Sequence, residues 1–400
     1  MTERKANANV GLGVYVSVPF CRAKCSFCNF ASGVASTERI AGYVDTLCAE
    51  IDAATVIAAR LAAELPAVVD TIYFGGGTPS LLAPAQMQAV FAALRRNFDV
   101  RPDAEITMEA APGQIADAAL EEAMRRGVNR VSLGVQSFVD RESAAVGRTH
   151  TGVSCLAEIA RLRTAGLKEV AADLIAGLPY QTAESWQYSL EAAVDAGLTH
   201  VSVYMLEVDE DSRLGREVIA GGVRFHAHGV PSDEISAELY EQACGFLEAH
   251  GFPQYEISNF AMGEHESRHN RKYWERAPYF GFGLDAHSML PADGGAVRFA
   301  NPDEMRDYGA AAWGGKVVRM GMDEAFEESL FLGLRMNFGV PVVELETQFG
   351  HERVDACGEA VRELIEGGLM DSSDGRWRLT LRGRMVSNEV FGRLLEGVVA

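Results

Sequence analysis

The strongest constraint on the fold is an alternation that runs through the first half of the chain. Six β-rich runs, at 13–18, 69–74, 105–110, 130–135, 168–175 and 201–206, are separated by amphipathic stretches at 37–62, 84–97, 115–126, 153–165 and 182–196. Ser36–Thr37 offers an N-terminal cap to the first of these helices, and Thr182 with Glu184 to the last. Strands that alternate with helices pair in parallel through right-handed crossovers. No G-x-G-x-x-G opens the first unit, and the chain is too long for a simple flavodoxin-like sheet. The pattern therefore predicts an α/β fold, a partial (β/α)6 TIM-like barrel. The alternation stops near residue 210, a long polar helix follows near 231–250, and the tail mixes helices with a short hairpin. We expect a core barrel over 1–235, a connecting region over 236–315, and a smaller α/β or winged-helix-like C-terminal domain over 316–400.

Composition narrows the partners. With 48% hydrophobic residues among 400, the chain can bury a sizeable core. A net charge of −20 repels nucleic-acid phosphates and anionic lipid heads, so neither is an expected partner. No apolar run is long enough to span a bilayer, and the opening MTERKANANV has no apolar leader core. A cytoplasmic location is expected. The seven cysteines are an odd count, poor material for a disulfide framework. Cys48, Cys155, Cys244 and Cys357 stand alone in apolar helical stretches and read as buried small hydrophobes.

Cys21, Cys25 and Cys28 are different. They form a C-x3-C-x2-C triplet directly after the first strand. Three thiolates on one tight loop can hold three corners of a [4Fe–4S] cubane. The fourth iron then stays open to the methionyl amine and carboxylate of S-adenosylmethionine (SAM), whose sulfonium an electron from the cluster cleaves to a 5′-deoxyadenosyl radical. The competing reading is structural zinc, which needs four ligands; no second cysteine pair exists, and the nearest histidine is His150.

Other motifs are weaker taken singly. GGGTP, Gly75 to Pro79, ends the second strand, where glycines let the backbone approach a ligand or simply make a tight turn. Nearly every strand ends in a polar residue: Glu109, Gln136, Asp173, and Tyr204 with Glu207. In a parallel barrel those ends converge on one mouth, where sites are built. Arg148 suits a carboxylate clamp, or the surface. In ESRHNRKYWERAPY, His269 and Tyr273 stand at i,i+4 beside Trp274. They would wall a planar macrocycle, with His269 as an iron ligand, or anchor a packed helix. His287 reads as a satisfied core histidine.

The strings YVSVPFCRAKCSFCNF, YFGGGTPSLL, EITMEAAPG, GVNRVSLGVQSF, DLIAGLP, QYEISNFA, SRHNRKYW and LTLRGRMVSNEVF follow in that order. Together they resemble the radical-SAM family that contains oxygen-independent coproporphyrinogen III oxidase and the HemW-type heme chaperones. The resemblance implies a radical SAM barrel with a C-terminal domain. It implies SAM binding by Tyr15, Gly76, Gly77, Thr78, Glu109, Gln136, Arg148 and Asp173; Phe27 matches a residue near a second SAM in the oxidase. Phe30 stands where the oxidase has a further cysteine, and the chain begins almost at the barrel, without the oxidase's longer extension. The H-N-x-x-Y-W string (His269, Asn270, Tyr273, Trp274) is similar to the chaperone's heme-binding motif. Departures from the family pattern are Ser17, Ala111, Ala171 and Asp285. The implied activity is a heme chaperone that delivers heme to respiratory apoproteins and lacks decarboxylase activity, with the oxidase as the alternative. A modifier of RNA is disfavoured by the acidic charge. The client, heme attachment, SAM cleavage and a homodimer are left open.

Overall fold

A computed structural model of the chain describes residues 11–309, 313 and 315–399; the opening decapeptide lies outside them. Six strands run in sequence order side by side: β1 (Leu12–Val18), β2 (Val68–Gly76), β3 (Asp99–Ala110), β4 (Arg130–Gln136), β5 (Glu169–Ala176) and β6 (His200–Met205). All five successive pairs are parallel. Between them lie α1 (Thr37–Asp52), α2 (Ala54–Arg60), α3 (Pro84–Asn97), α4 (Asp117–Arg125), α5 (Asp140–Ala145), α6 (Gly152–Thr164) and α7 (Ala183–Asp195). The expected 37–62 helix thus breaks at Ala53, and β3 starts six residues early because Asp99 and Val100 pair with Val68 and Val69.

The period along these strands explains their curl. Parallel strands covered on both faces usually read as continuous apolar runs. Here apolar and polar residues alternate. Val14, Val16, Ile72, Phe74, Ile106, Met108, Val131 and Leu133 pack into the main core with the helices. Their neighbours, among them Thr71, Tyr73, Glu105, Glu109, Arg130, Ser132 and Asp173, meet one another across strands on the opposite face. One face is oil and the other a polar interior, so the sheet bends into a partial barrel.

The chain after β6 completes the sheet. Following α8 (Arg213–Ile219) and α9 (Asp233–Ala249), the hairpin β7 (Gln254–Glu256) and β8 (Asn259–Ala261) pairs antiparallel with β6. The short α10 (Arg268–Trp274) crosses to the other edge, where β9 (Tyr279–Phe282) lies parallel to β1. Antiparallel β10 (His287–Ala292), β11 (Gly295–Ala300) and β12 (Lys316–Met320) extend that edge, giving twelve strands in one sheet. The C-terminal part has its own core around Phe326, Leu330, Phe349, Cys357 and Trp377, and a three-stranded antiparallel sheet over 340–379. No helix among the described residues is long and apolar enough to cross a membrane.

Candidate functional site

The cysteine loop leaves β1 at the barrel mouth and is closed at its base by backbone bonds. Cys21 N–H donates to Gly33 O and Gly33 N–H to Pro19 O, both at 3.0 Å. Its far side is tied down as well. Ser26 N–H donates to Val146 O at 3.1 Å, and Leu214 N–H to Ser26 O at 2.8 Å. Cys25 is buried, whereas Cys21 and Cys28 are half-buried. Burial pushes the Cys25 thiol up; the Arg148 and Arg213 guanidiniums pull it down, and the two neighbouring cysteines add to the rise. Among the described residues no three His, Cys, Asp or Glu side chains converge on a single ion. A cubane asks for something else, since each iron takes its own thiolate.

The glycine motif owes its composition to this loop. A Cβ on Gly77 would lie 2.6–2.9 Å from the backbone of Phe20, and Gly76 has φ +99°. Only glycine lets the β2 end lie flat against the loop. Gly77 N–H and Thr78 N–H donate to Val18 O and Phe20 O, and the Thr78 hydroxyl reaches Cys21 Sγ at 3.7 Å. Thr78 therefore touches a cysteine of the triplet directly.

Beside it stand two carboxylates. Glu109 accepts from Tyr73 Oη at 2.9 Å and from the Gly76 N–H; burial and the nearby Asp173 push it up to about 7. Asp173 is also raised, by burial, against hydrogen bonds from Ser202 and Ser132. Gln136 ends β4 with φ +68°. Its amide and the Arg148 guanidinium both sit 3.0 Å from where a Gly134 Cβ would be, so they lie together over that glycine. Arg148 Nε is buried without a hydrogen-bond partner. A half-buried guanidinium with one buried N–H unbonded gains from an anion that accepts it, which suits the carboxylate of an amino acid. Tyr15, Gly76, Gly77, Thr78, Glu109, Gln136, Arg148 and Asp173 thus gather around the mouth beside the cysteine loop. Phe27 packs into a satellite cluster with Leu214 and Ala227. The donor set fits a [4Fe–4S] cluster and SAM.

The motifs alone do not single out Tyr73. Its ring stacks on Tyr15 (6.1 Å) and on His269 (5.2 Å), and its hydroxyl holds Glu109. The signal was there in the alternation of β2, which puts Tyr73 on the face of Gly75 and Thr71.

The H-N-x-x-Y-W helix lies elsewhere, at the opposite end of the strands. Glu105 accepts the backbone N–H groups of Arg268 and His269, and Lys272 bridges Asp70 and Gly11 O, both at 2.7 Å. α10 therefore plugs the barrel floor. His269 and Tyr273 do share a face: His269 Nε2 is 2.8 Å from Tyr273 Oη, and Nδ1 is 2.9 Å from Thr71 Oγ1. His269 is 1% exposed and its imidazole is held neutral, pushed down to about 3 by burial and by Lys272. Asn270, Tyr273 and Trp274 are half-buried; Trp274 stacks under Arg335 at 4.5 Å. His287 is not in the core: its side chain is 69% exposed at the start of β10, 3.9 Å from Asp285. Of the isolated cysteines, Cys155, Cys244 and Cys357 are buried and Cys48 half-buried.

Residues 15–213 match the Radical SAM superfamily, and 322–386 the HemN C-terminal domain. The heme chaperone HemW of Lactococcus lactis is 32% identical over 95% of the chain and 96% of that protein. Its Bacillus subtilis namesake is 33% identical over 95% and 98%. The chain belongs to the HemW family of radical SAM proteins. The solved coproporphyrinogen III oxidase HemN of Escherichia coli superimposes with TM-score 0.80 at 25% identity, covering 96% of this chain and 90% of that one. Membership of the Radical SAM superfamily implies the cluster and SAM; Phe30, just beyond Cys28, is 62% exposed.

Proposed function

We propose that the chain is a cytoplasmic heme chaperone that binds heme and passes it to respiratory apoproteins. The observation that carries this is likeness to HemW heme chaperones over nearly their whole length, at 32–33% identity. On this reading residues 1–235 form the SAM-binding core, 236–315 connect and floor it, and 316–400 form the C-terminal domain. Cys21, Cys25 and Cys28 would hold the cluster, which supplies SAM binding and one-electron chemistry when present. Thr78 steadies Cys21 by its hydroxyl contact. Arg148 and Gln136 would orient the SAM carboxylate, while Glu109, held by Tyr73 and Gly76, would receive its amine. The raised Glu109 and Asp173 make their side of the mouth a place where a cation such as the SAM amine is welcome.

His269, Asn270, Tyr273 and Trp274 remain the proposed heme motif. Ligation by His269 requires that α10 give up the Thr71 or Tyr273 hydrogen bond, so heme binding there loosens the floor plug. The alternative, oxidative decarboxylation of coproporphyrinogen III, draws on the HemN likeness. Anaerobic assays separate the two. Reconstituted protein should bind heme stoichiometrically and leave coproporphyrinogen unchanged with SAM and reductant; turnover would sink the chaperone reading. Cys25→Ala should lose the iron–sulfur absorbance. Heme affinity unchanged in His269→Ala/Tyr273→Ala would remove heme from that motif.

A further inference from the structure

We infer that His226 is an axial ligand for heme iron at a second site, on the rim of the barrel mouth. The inference rests on the heme-binding reading above and goes beyond it, since α10 lies at the other end of the strands.

The segment after α8 reads R-F-H-A-H-G, and it brings His226 and His228 to one tyrosine. Tyr180 Oη lies 2.9 Å from His226 Nδ1 and 3.2 Å from His228 Nε2. Tyr180 is held in place: its N–H donates to Gly229 O at 2.7 Å, and its ring leaves a Cβ on Gly229 only 2.7 Å of room. The backbone is constrained too. Phe225 and His226 have φ of +53° and +60°, two consecutive non-glycine residues in the left-handed region. A left-handed backbone is unfavourable for a residue with a Cβ, and a fold keeps such strain where the surroundings impose it.

The chemistry follows from one hydroxyl shared by two imidazoles. A phenol donates one proton and its oxygen accepts, so at most one of the two rings takes the Tyr180 proton and the other donates to the oxygen. The tautomer that opens His226 to iron is the one in which Tyr180 O–H donates to His228 Nε2 and His226 donates its Nδ1–H to Tyr180. That leaves Nε2 of His226 bare and without a hydrogen-bond partner among the described residues. A fixed Nδ1–H with a free Nε2 is the arrangement in which imidazole ligates iron. Both histidines are exposed, in contrast to His269.

The surroundings match the rest of the molecule. Heme is a flat apolar disc with two carboxylates. Val223, 69% exposed, offers apolar surface beside the pair. Arg141 lies over the Tyr180 ring at 4.0 Å and Arg224 over Phe225 at 5.2 Å, two cations placed for propionates on an otherwise acidic protein. The same segment packs on the cysteine loop, since Phe225 and Ala227 share a cluster with Phe27. Heme on the rim would lie beside the iron–sulfur loop.

The test is hemin titration of the full chain, read by the Soret band and by low-temperature EPR of the ferric iron. His226→Asn/His228→Asn is the variant of choice: Asn keeps a hydrogen bond to Tyr180 and tolerates a left-handed backbone. The iron–sulfur absorbance after reconstitution checks that it folds. We expect wild type to bind a second equivalent of hemin with an imidazole-ligated spectrum. The variant should lose that spectrum and bind this equivalent roughly tenfold or more weakly. His269→Ala/Tyr273→Ala should leave it in place. Identical spectra and affinity in wild type and the Asn variant overturn the rim site while leaving heme binding intact. Zinc binding that needs both rim histidines, with no hemin effect, overturns heme as the ligand. A wild-type protein that binds no hemin refutes the chaperone reading itself.

Discussion

The floor of the barrel allows a sharp test of how α10 is held. Lys272 and Asp70 form an ion pair at 2.7 Å, 5% and 8% exposed. The same ammonium donates to Gly11 O at 2.7 Å, and Gly11 N–H donates to Asp70 Oδ2 at 3.0 Å. Three segments, the start of β1, the start of β2 and α10, meet at this triangle. Lys272→Met keeps an unbranched stem of similar reach, which matters because the lysine stem packs against Gly13 at 2.7 Å from its Cβ position. The carboxylate of Asp70 then keeps the Gly11 hydrogen bond but loses its paired ammonium. Stranding a buried charge in this way costs about 3–5 kcal/mol. Asp70→Asn/Lys272→Met removes both charges, so its cost should fall to about 1–2 kcal/mol, the worth of the lost Gly11 bond and imperfect amide pairing. Urea unfolding of the apo protein by circular dichroism, with midpoints compared at a common slope, measures both. The expected coupling between the sites is at least about 2 kcal/mol. A single-variant loss below about 1 kcal/mol, or additive losses, would mean that the pair is solvated and that α10 is not clamped as described.

Two further outcomes follow from the mouth. Gly77→Ala drives a Cβ into the Phe20 backbone and should cost about 1–3 kcal/mol while lowering cluster occupancy after reconstitution, measured as iron per protein; full occupancy at wild-type stability would show that the loop gives way freely. Glu109 titrates near 7 in the folded apo protein against an ordinary 4.5. The folded state therefore binds its proton more tightly than the unfolded chain, so this contribution is present below about pH 4.5 and fades as pH rises through about 7. Glu109→Gln should flatten the fall in urea midpoint between those values, and an unchanged pH dependence would remove Glu109 as its source.

Much of the site was legible because it is local. The cysteine triplet, the glycines at the end of β2 and the polar residues at the strand ends lie on consecutive βα units, and parallel pairing in sequence order delivers them to one mouth. Tyr73 was missed because a tyrosine inside a strand looks like packing, and its role appears only when Glu109, Tyr15 and His269 come together around it. His287 was misplaced for a related reason: an apolar neighbourhood in sequence does not say which face of β10 a residue takes.

What the sequence alone determined is the repeating unit and the chemistry at its ends, since period and spacing fix which residues share a face. Where the later segments dock was settled by tertiary structure. The same H-N-x-x-Y-W string could have lined the mouth. It floors the barrel because Glu105, Asp70 and Thr71, remote in sequence, accept and cap α10 there. The pairing of His226 and His228 on Tyr180 spans nearly fifty residues and depends on how the chain turns after β5 and α8. Such contacts are long-range, and local propensity carries no information about them.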